Sequence, residues 1–127
     1  MVKNLTKYRY ERKFCIPELT FEYIKALIFS HPSHFSVSYP LRIINNIYLD
    51  TANLDFFNDT IIGCSDRKKV RIRWYGDTST STIVNSPKLE IKCKSGFVGW
   101  KLLFPLKQFM FDRYYNYERI QKIFKES

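Results

Sequence analysis

Three stretches of the chain alternate polar and apolar residues with a period of two, as strands with one buried face do. In "RKKVRIRWY" (67–75), Arg67, Lys69, Arg71, Arg73 and Tyr75 share one face, while Val70, Ile72 and Trp74 share the other with Lys68. "KLEIKCK" (88–94) divides in the same way, with Lys88, Glu90, Lys92 and Lys94 opposite Leu89, Ile91 and Cys93. The third is "YRYERKF" (8–14), inside a strand expected over 5–16, where Arg9, Glu11 and Lys13 oppose Tyr8, Tyr10 and Phe14, with Arg12 among the aromatics. "RIINNIYLD" (42–50) is β-branched enough for another strand, and "VGWKLLF", after a turn at Ser95-Gly96, for a fifth. Helical spacing appears in "PELTFEYIKALIFSHP", which starts at Pro17, carries Leu19, Tyr23, Leu27 and Ile28 on one stripe, and stops at Pro32. A short helix over "TANLDFFND" capped by Thr51, a mobile polar loop from Asp77 to Pro87, an aromatic linker and a last helix from about Asp112 to Lys125 complete the reading. The expected fold is α+β, an antiparallel sheet with flanking helices, in a single domain over residues 1–127.

Composition agrees with a folded domain. Hydrophobic residues make up 45% of the 127, with only four glycines, so the chain can bury a core. The three cysteines, Cys15, Cys64 and Cys93, lack CxxC spacing and read as reduced thiols, two of them half-buried. No run approaches the apolar length of a membrane span and the first fifteen residues lack an apolar core, so no membrane insertion is expected and the cytoplasm is the expected location.

Charge narrows the class of partner. Lys and Arg number 21 against 12 Asp and Glu, a net of +9 that suits a polyanion. The polar faces of the three alternating strands hold nine basic residues and two acids, a surplus of +7. Exposed sheets usually mix signs, because like charges directly opposite repel. A face with this surplus calls for an anion, and arginine forks with lysine point charges suit phosphate oxygens. No Gly-rich phosphate loop and no nucleophile arrangement of Ser, Cys or His is present. His31 and His34 have no third ligand nearby in sequence and read as a helix-end loop.

"YRYERKF", "NNIYLDT", "RKKVRIRWYG" and "LEIKCKSG" come in the order and spacing of the VTC-type polyphosphate polymerase domain, a CYTH-like branch of the triphosphate tunnel metalloenzymes, which this chain resembles over roughly residues 7–101. The resemblance implies an antiparallel eight-stranded tunnel in which basic side chains thread polyphosphate and the γ-phosphate of ATP passes to a growing chain with a divalent metal, Mn or Mg. It implies Arg71, Arg73 and Lys92 as catalytic residues and Lys13, Arg71, Arg73, Lys92 and Lys101 as phosphate ligands, to which the basic strand faces add Arg9, Lys69 and Lys94 as phosphate-binding residues. Glu11 and Glu90 are the implied metal-binding acids. Arg9 stands where the related cyclase and thiamine triphosphatase branch has the first glutamate of ExExK, so only Glu11 and Lys13 of that motif are kept. Asp50 and Thr51 match the family's "DT" and read as a strand-end cap.

The length corresponds to the N-terminal half of such a domain, so the expected partners, besides ATP and inorganic polyphosphate or triphosphate, are a second chain or a homodimer that completes the barrel. A half-domain could be inactive alone. The alternative is a non-catalytic polyanion-binding module for polyphosphate or RNA. Sheet-type RNA binders stack bases on exposed aromatics, and here the aromatics fall mainly opposite the charges, which disfavours nucleic acid.

Overall fold

The structure is a computed structural model that describes residues 8–77 and 82–127. The chain divides into two compact units, residues 12–41 and the remainder.

The smaller unit holds α1 (Phe21–Ser30). Its N-cap is Thr20, whose side chain accepts from the Tyr23 backbone N–H, so the helix starts four residues later than Pro17 suggests.

The larger unit contains β1 (Arg9–Tyr10), β2 (Ile44–Leu49), α2 (Asp55–Ile62), β3 (Arg67–Tyr75), β4 (Thr82–Val84), β5 (Lys88–Ser95), β6 (Val98–Pro105), β7 (Phe109–Phe111) and α3 (Tyr117–Glu126). Five of its strands form one antiparallel sheet in the order β1-β6-β5-β3-β2. β5 and β6 are joined by a two-residue hairpin in which Ser95 faces Val98 and Gly96 takes φ +55°, a conformation that a side chain resists. The sheet is open: among the described residues its outer strands β1 and β2 do not pair with each other, so no closed barrel is formed.

Two expectations change here. The Asp77–Pro87 loop contains β4, and the aromatic linker contains β7; they pair with each other, Val84 opposite Phe109 and Thr82 opposite Phe111. Residues 78–81 of that loop lie outside the described residues, as do residues 1–7, the first part of the expected 5–16 strand. Of the rest of that strand only Arg9 and Tyr10 pair, with Gly99 and Val98.

The β4-β7 ribbon and α3 lie on the apolar side of the sheet. Ile72, Trp74, Val84, Phe109 and Ile123 form the buried cluster, supported by Ile47, Leu49, Leu106, Phe111, Tyr115 and Ile120. α3 begins at Tyr117 because Asn116 caps it, accepting from the Arg119 N–H. Tyr115 packs against Phe109 and Phe111, and burial pushes its phenol up to about 12 despite the opposing charge of Arg119. The cysteines are free, with Cys15 exposed, Cys64 half-buried and Cys93 buried. No helix among the described residues is long and apolar enough to cross a membrane.

α2 follows β2 through the "DT" device. Leu54, at the N-cap position, has a left-handed backbone and makes no side-chain cap bond. Asp50 supplies the missing acceptors, taking the Phe56 N–H on Oδ1 and the Phe57 N–H on Oδ2, while Thr51 Oγ1 accepts from the Asp55 N–H. Desolvation works against the Asp50 carboxylate, but the three backbone donors Phe56, Thr51 and Phe57 outweigh it and hold the carboxyl below its ordinary range. A group with a depressed folded-state pKa stabilises the fold above its unfolded pKa and loses that effect as pH falls through the folded value. Asp50→Asn should therefore melt at lower temperature than the parent at neutral pH. The gap should close on acidification below the normal aspartate range, and a gap that stays constant down to pH 2 would remove this role from Asp50.

Candidate functional site

β-Register puts the charges together. Across β3 and β5, Arg67 faces Lys94, Lys69 faces Lys92, Arg71 faces Glu90 and Arg73 faces Lys88. β6 adds Lys101 opposite Lys92, and β1 adds Arg9 opposite Gly99, which itself faces Lys94. Directly opposed residues share a face, so Arg9, Arg67, Lys69, Arg71, Arg73, Lys88, Lys92, Lys94 and Lys101 lie on one side of the sheet. Lys13 belongs to the smaller unit. With Glu11 and Glu90 the larger unit's face has nine cations and two acids, again a surplus of +7.

At the centre sits Glu90, only 4% exposed. Its Oε2 accepts from Arg71 Nε at 2.8 Å and Nη2 at 2.6 Å, with Arg73 Nη1 at 3.6 Å, and its Oε1 accepts from Lys101 Nζ at 3.3 Å. Burial alone would raise the Glu90 carboxyl, but the hydrogen bonds from Arg71 and the charge of Lys101 outweigh it and hold it below the ordinary glutamate range. Arg71 is desolvated too, yet Glu90 and Tyr48 raise its pKa further.

β2 orients the same arginines from the other side. Arg71 Nη1 donates to Tyr48 Oη at 3.2 Å, and Arg73 Nε donates to Asn46 Oδ1 at 2.8 Å. Tyr48 and Asn46 face Arg71 and Arg73 directly in the β2–β3 register. Both lie within "NNIYLDT", but the motif does not reveal this role, which depends on pairing with residues 23 and 27 positions away. Of the five N–H bonds of a guanidinium, Arg71 uses three in these contacts and keeps two for a ligand.

Two cavities open on this face and share Lys101 and Leu103. One, of about 310 Å³, is lined by Arg9, Glu11, Arg71 and Lys92. The other, of about 320 Å³, is lined by Arg73, Lys88 and Glu90. Glu11 Oε2 accepts from Lys92 Nζ at 3.1 Å. Arg67 is turned to the chain, donating to the Cys64 carbonyl. Arg9, Lys69, Lys88 and Lys94 have no carboxylate partner among the described residues, so the face holds both oriented and uncompensated cations.

The acids do not form a ready metal cradle. Among the described residues no three His, Cys, Asp or Glu side chains group as metal ligands. Both Glu90 oxygens are occupied by cations, and a dication there would meet the charges of Arg71, Arg73 and Lys101 at close range. Glu90 in this arrangement does not fit a divalent metal.

The VTC domain family model matches residues 8–127, which takes in every strand, helix and site residue described above. No curated protein and no solved structure matches the chain. With nearly its whole length matched, the chain belongs to the VTC domain family.

Proposed function

We propose that the basic face binds the phosphates of ATP and of inorganic polyphosphate, and that the protein works as a polyphosphate polymerase-type phosphotransferase. The single observation that carries this reading is the row of cations across four strands, with Arg71 and Arg73 held by side chains from β2 and β5. Phosphoryl transfer asks mainly for positioning and for charge stabilisation, and this face supplies both. In the transfer, a terminal phosphate oxygen of the acceptor chain forms a bond to the γ-phosphorus. The bond from that phosphorus to the β–γ bridging oxygen breaks, and ADP departs. Arg71, Arg73 and Lys92 would bind the oxygens that carry the developing charge. Arg9, Lys69, Lys94 and Lys101 would hold the rest of the phosphate chain. Divalent Mn or Mg belongs to the same reading through the substrate, whose phosphates bring their own metal. A second chain that pairs with the open strands is the proposed way for the sheet to close.

Calorimetry with single phosphate, tripolyphosphate and long polyphosphate tests the binding. Affinity should climb with chain length, and each should weaken as salt is raised, because exposed charges are screened within about 10 Å at 0.1 M salt. Equal and poor binding of all three would end the proposal. A homopolymeric RNA that binds as well as polyphosphate at matched charge would move the face to the nucleic-acid reading. Transfer is then read by release of ADP and growth of polymer from ATP with Mn.

A further inference from the structure

On the basis of the phosphate-binding reading, we infer that Glu90 is a positioning residue, a built-in counter-anion that gathers Arg71, Arg73 and Lys101 for phosphate, and that it is not a metal ligand. A buried carboxylate among cations has two possible uses. It can present its lone pairs to a metal, or it can spend them on the cations. Here Oε2 takes two N–H bonds from one guanidinium, within 3.6 Å of a second guanidinium, and Oε1 takes the ammonium of Lys101.

The geometry explains how three cations come to lie side by side. Arg71, Arg73 and Lys101 come from β3 and β6, the two neighbours of β5, and each reaches inward over the residue between them. Mutual repulsion would splay such long side chains into solvent, so a fixed negative charge beneath them keeps their heads together. Tyr48 and Asn46 then set the planes of the two guanidiniums. Arg71 and Lys101 line the first cavity, while Arg73, Glu90 and Lys101 line the second. The carboxylate thus lines the second cavity and holds Lys101, a residue that both cavities share.

Three measurements decide the matter. In the parent protein with EDTA, tripolyphosphate binding tests the phosphate-binding reading itself, and its absence would sink that reading before Glu90 is considered. In parent protein carrying ¹³C-labelled glutamate, Mn²⁺ without phosphate should leave the Glu90 carboxylate signal sharp, whereas tripolyphosphate with EDTA should shift it. Preferential broadening of Glu90 by Mn²⁺ would overturn the inference while leaving phosphate binding intact. Third, the Arg71 Nε–H should give a proton signal protected from exchange. Glu90→Gln should lose that protection, and Glu90→Asp, which keeps the charge on a shorter arm, should recover part of it. An unchanged Arg71 signal in Glu90→Gln would remove the positioning role. Should Glu90→Gln fail to fold, the Mn²⁺ titration of the parent protein still decides between metal ligand and counter-anion.

Discussion

Replacing Arg71 and Arg73 together by alanine should cut tripolyphosphate affinity by about 100-fold or more, the largest loss expected from any surface change in this protein. Hydrogen bonds to charged groups contribute roughly 1.5–3 kcal/mol each, and each 1.4 kcal/mol is about tenfold in binding. Either single variant should therefore lose about tenfold or more. The two effects should not simply add, because both guanidiniums lie against Glu90. Arg71→Ala should also disturb its neighbours more than Arg73→Ala. It removes both of the shortest contacts to a buried carboxylate, whereas Arg73 stands at 3.6 Å. Calorimetry at fixed low salt, with Lys122→Ala on α3 as a charge-matched control, checks the claim. The control removes an exposed cation on α3 whose one carboxylate partner among the described residues is Glu126 of the same helix. If it weakened tripolyphosphate as much as Arg73→Ala, binding would be a matter of net charge, and the oriented arginines would have no special part.

The charged strands were legible because their two faces differ in chemistry at every second residue. β3 and β5 start where the alternation starts, and they pair in the register that puts Arg71 beside Glu90. β4 and β7 were not legible. Three residues, "TIV" or "FMF", are too short for a period to show, and each becomes a strand only because the other lies beside it over Trp74. The N-terminal strand was read too long for the reverse reason, since its alternation continues through Phe14 while β1 covers only Arg9 and Tyr10. The start of α3 could have been found from Asn116, a good N-cap residue followed by Glu118 in the first turn. At the site, sequence identified which residues carry charge and which side of each strand they take. It could not show that Tyr48 and Asn46 hold the arginines, nor that an acid on a basic face would be surrounded. Those are facts of register between distant segments.

Ile72→Ala should cost about 2–5 kcal/mol of stability, the range for truncating a fully buried aliphatic side chain. Ile72 is 0% exposed and sits between Arg71 and Arg73 in sequence, yet points to the other side of the sheet, into the cluster with Trp74, Val84, Phe109 and Ile123. Against the roughly 5–15 kcal/mol that a typical domain has in hand, such a loss is a large fraction of the whole. Trp74→Phe should be much milder than Trp74→Ala. The ring contacts with Phe109 and Phe111 can largely persist, and the indole Nε1, which is buried without a hydrogen-bond partner among the described residues, is a donor the fold loses little by removing. Urea titrations followed by tryptophan fluorescence for Ile72→Ala, and by far-UV circular dichroism for the Trp74 variants, give these differences. The two faces can then be separated in one comparison. Arg73→Ala should lose phosphate with little change in the unfolding midpoint, while Ile72→Ala should shift the midpoint strongly and, at temperatures where it remains folded, still bind tripolyphosphate within a fewfold of the parent. An Ile72→Ala protein that is folded but no longer binds would mean that the arginine row is set by core packing beneath it, and not by Glu90, Tyr48 and Asn46 on its own face.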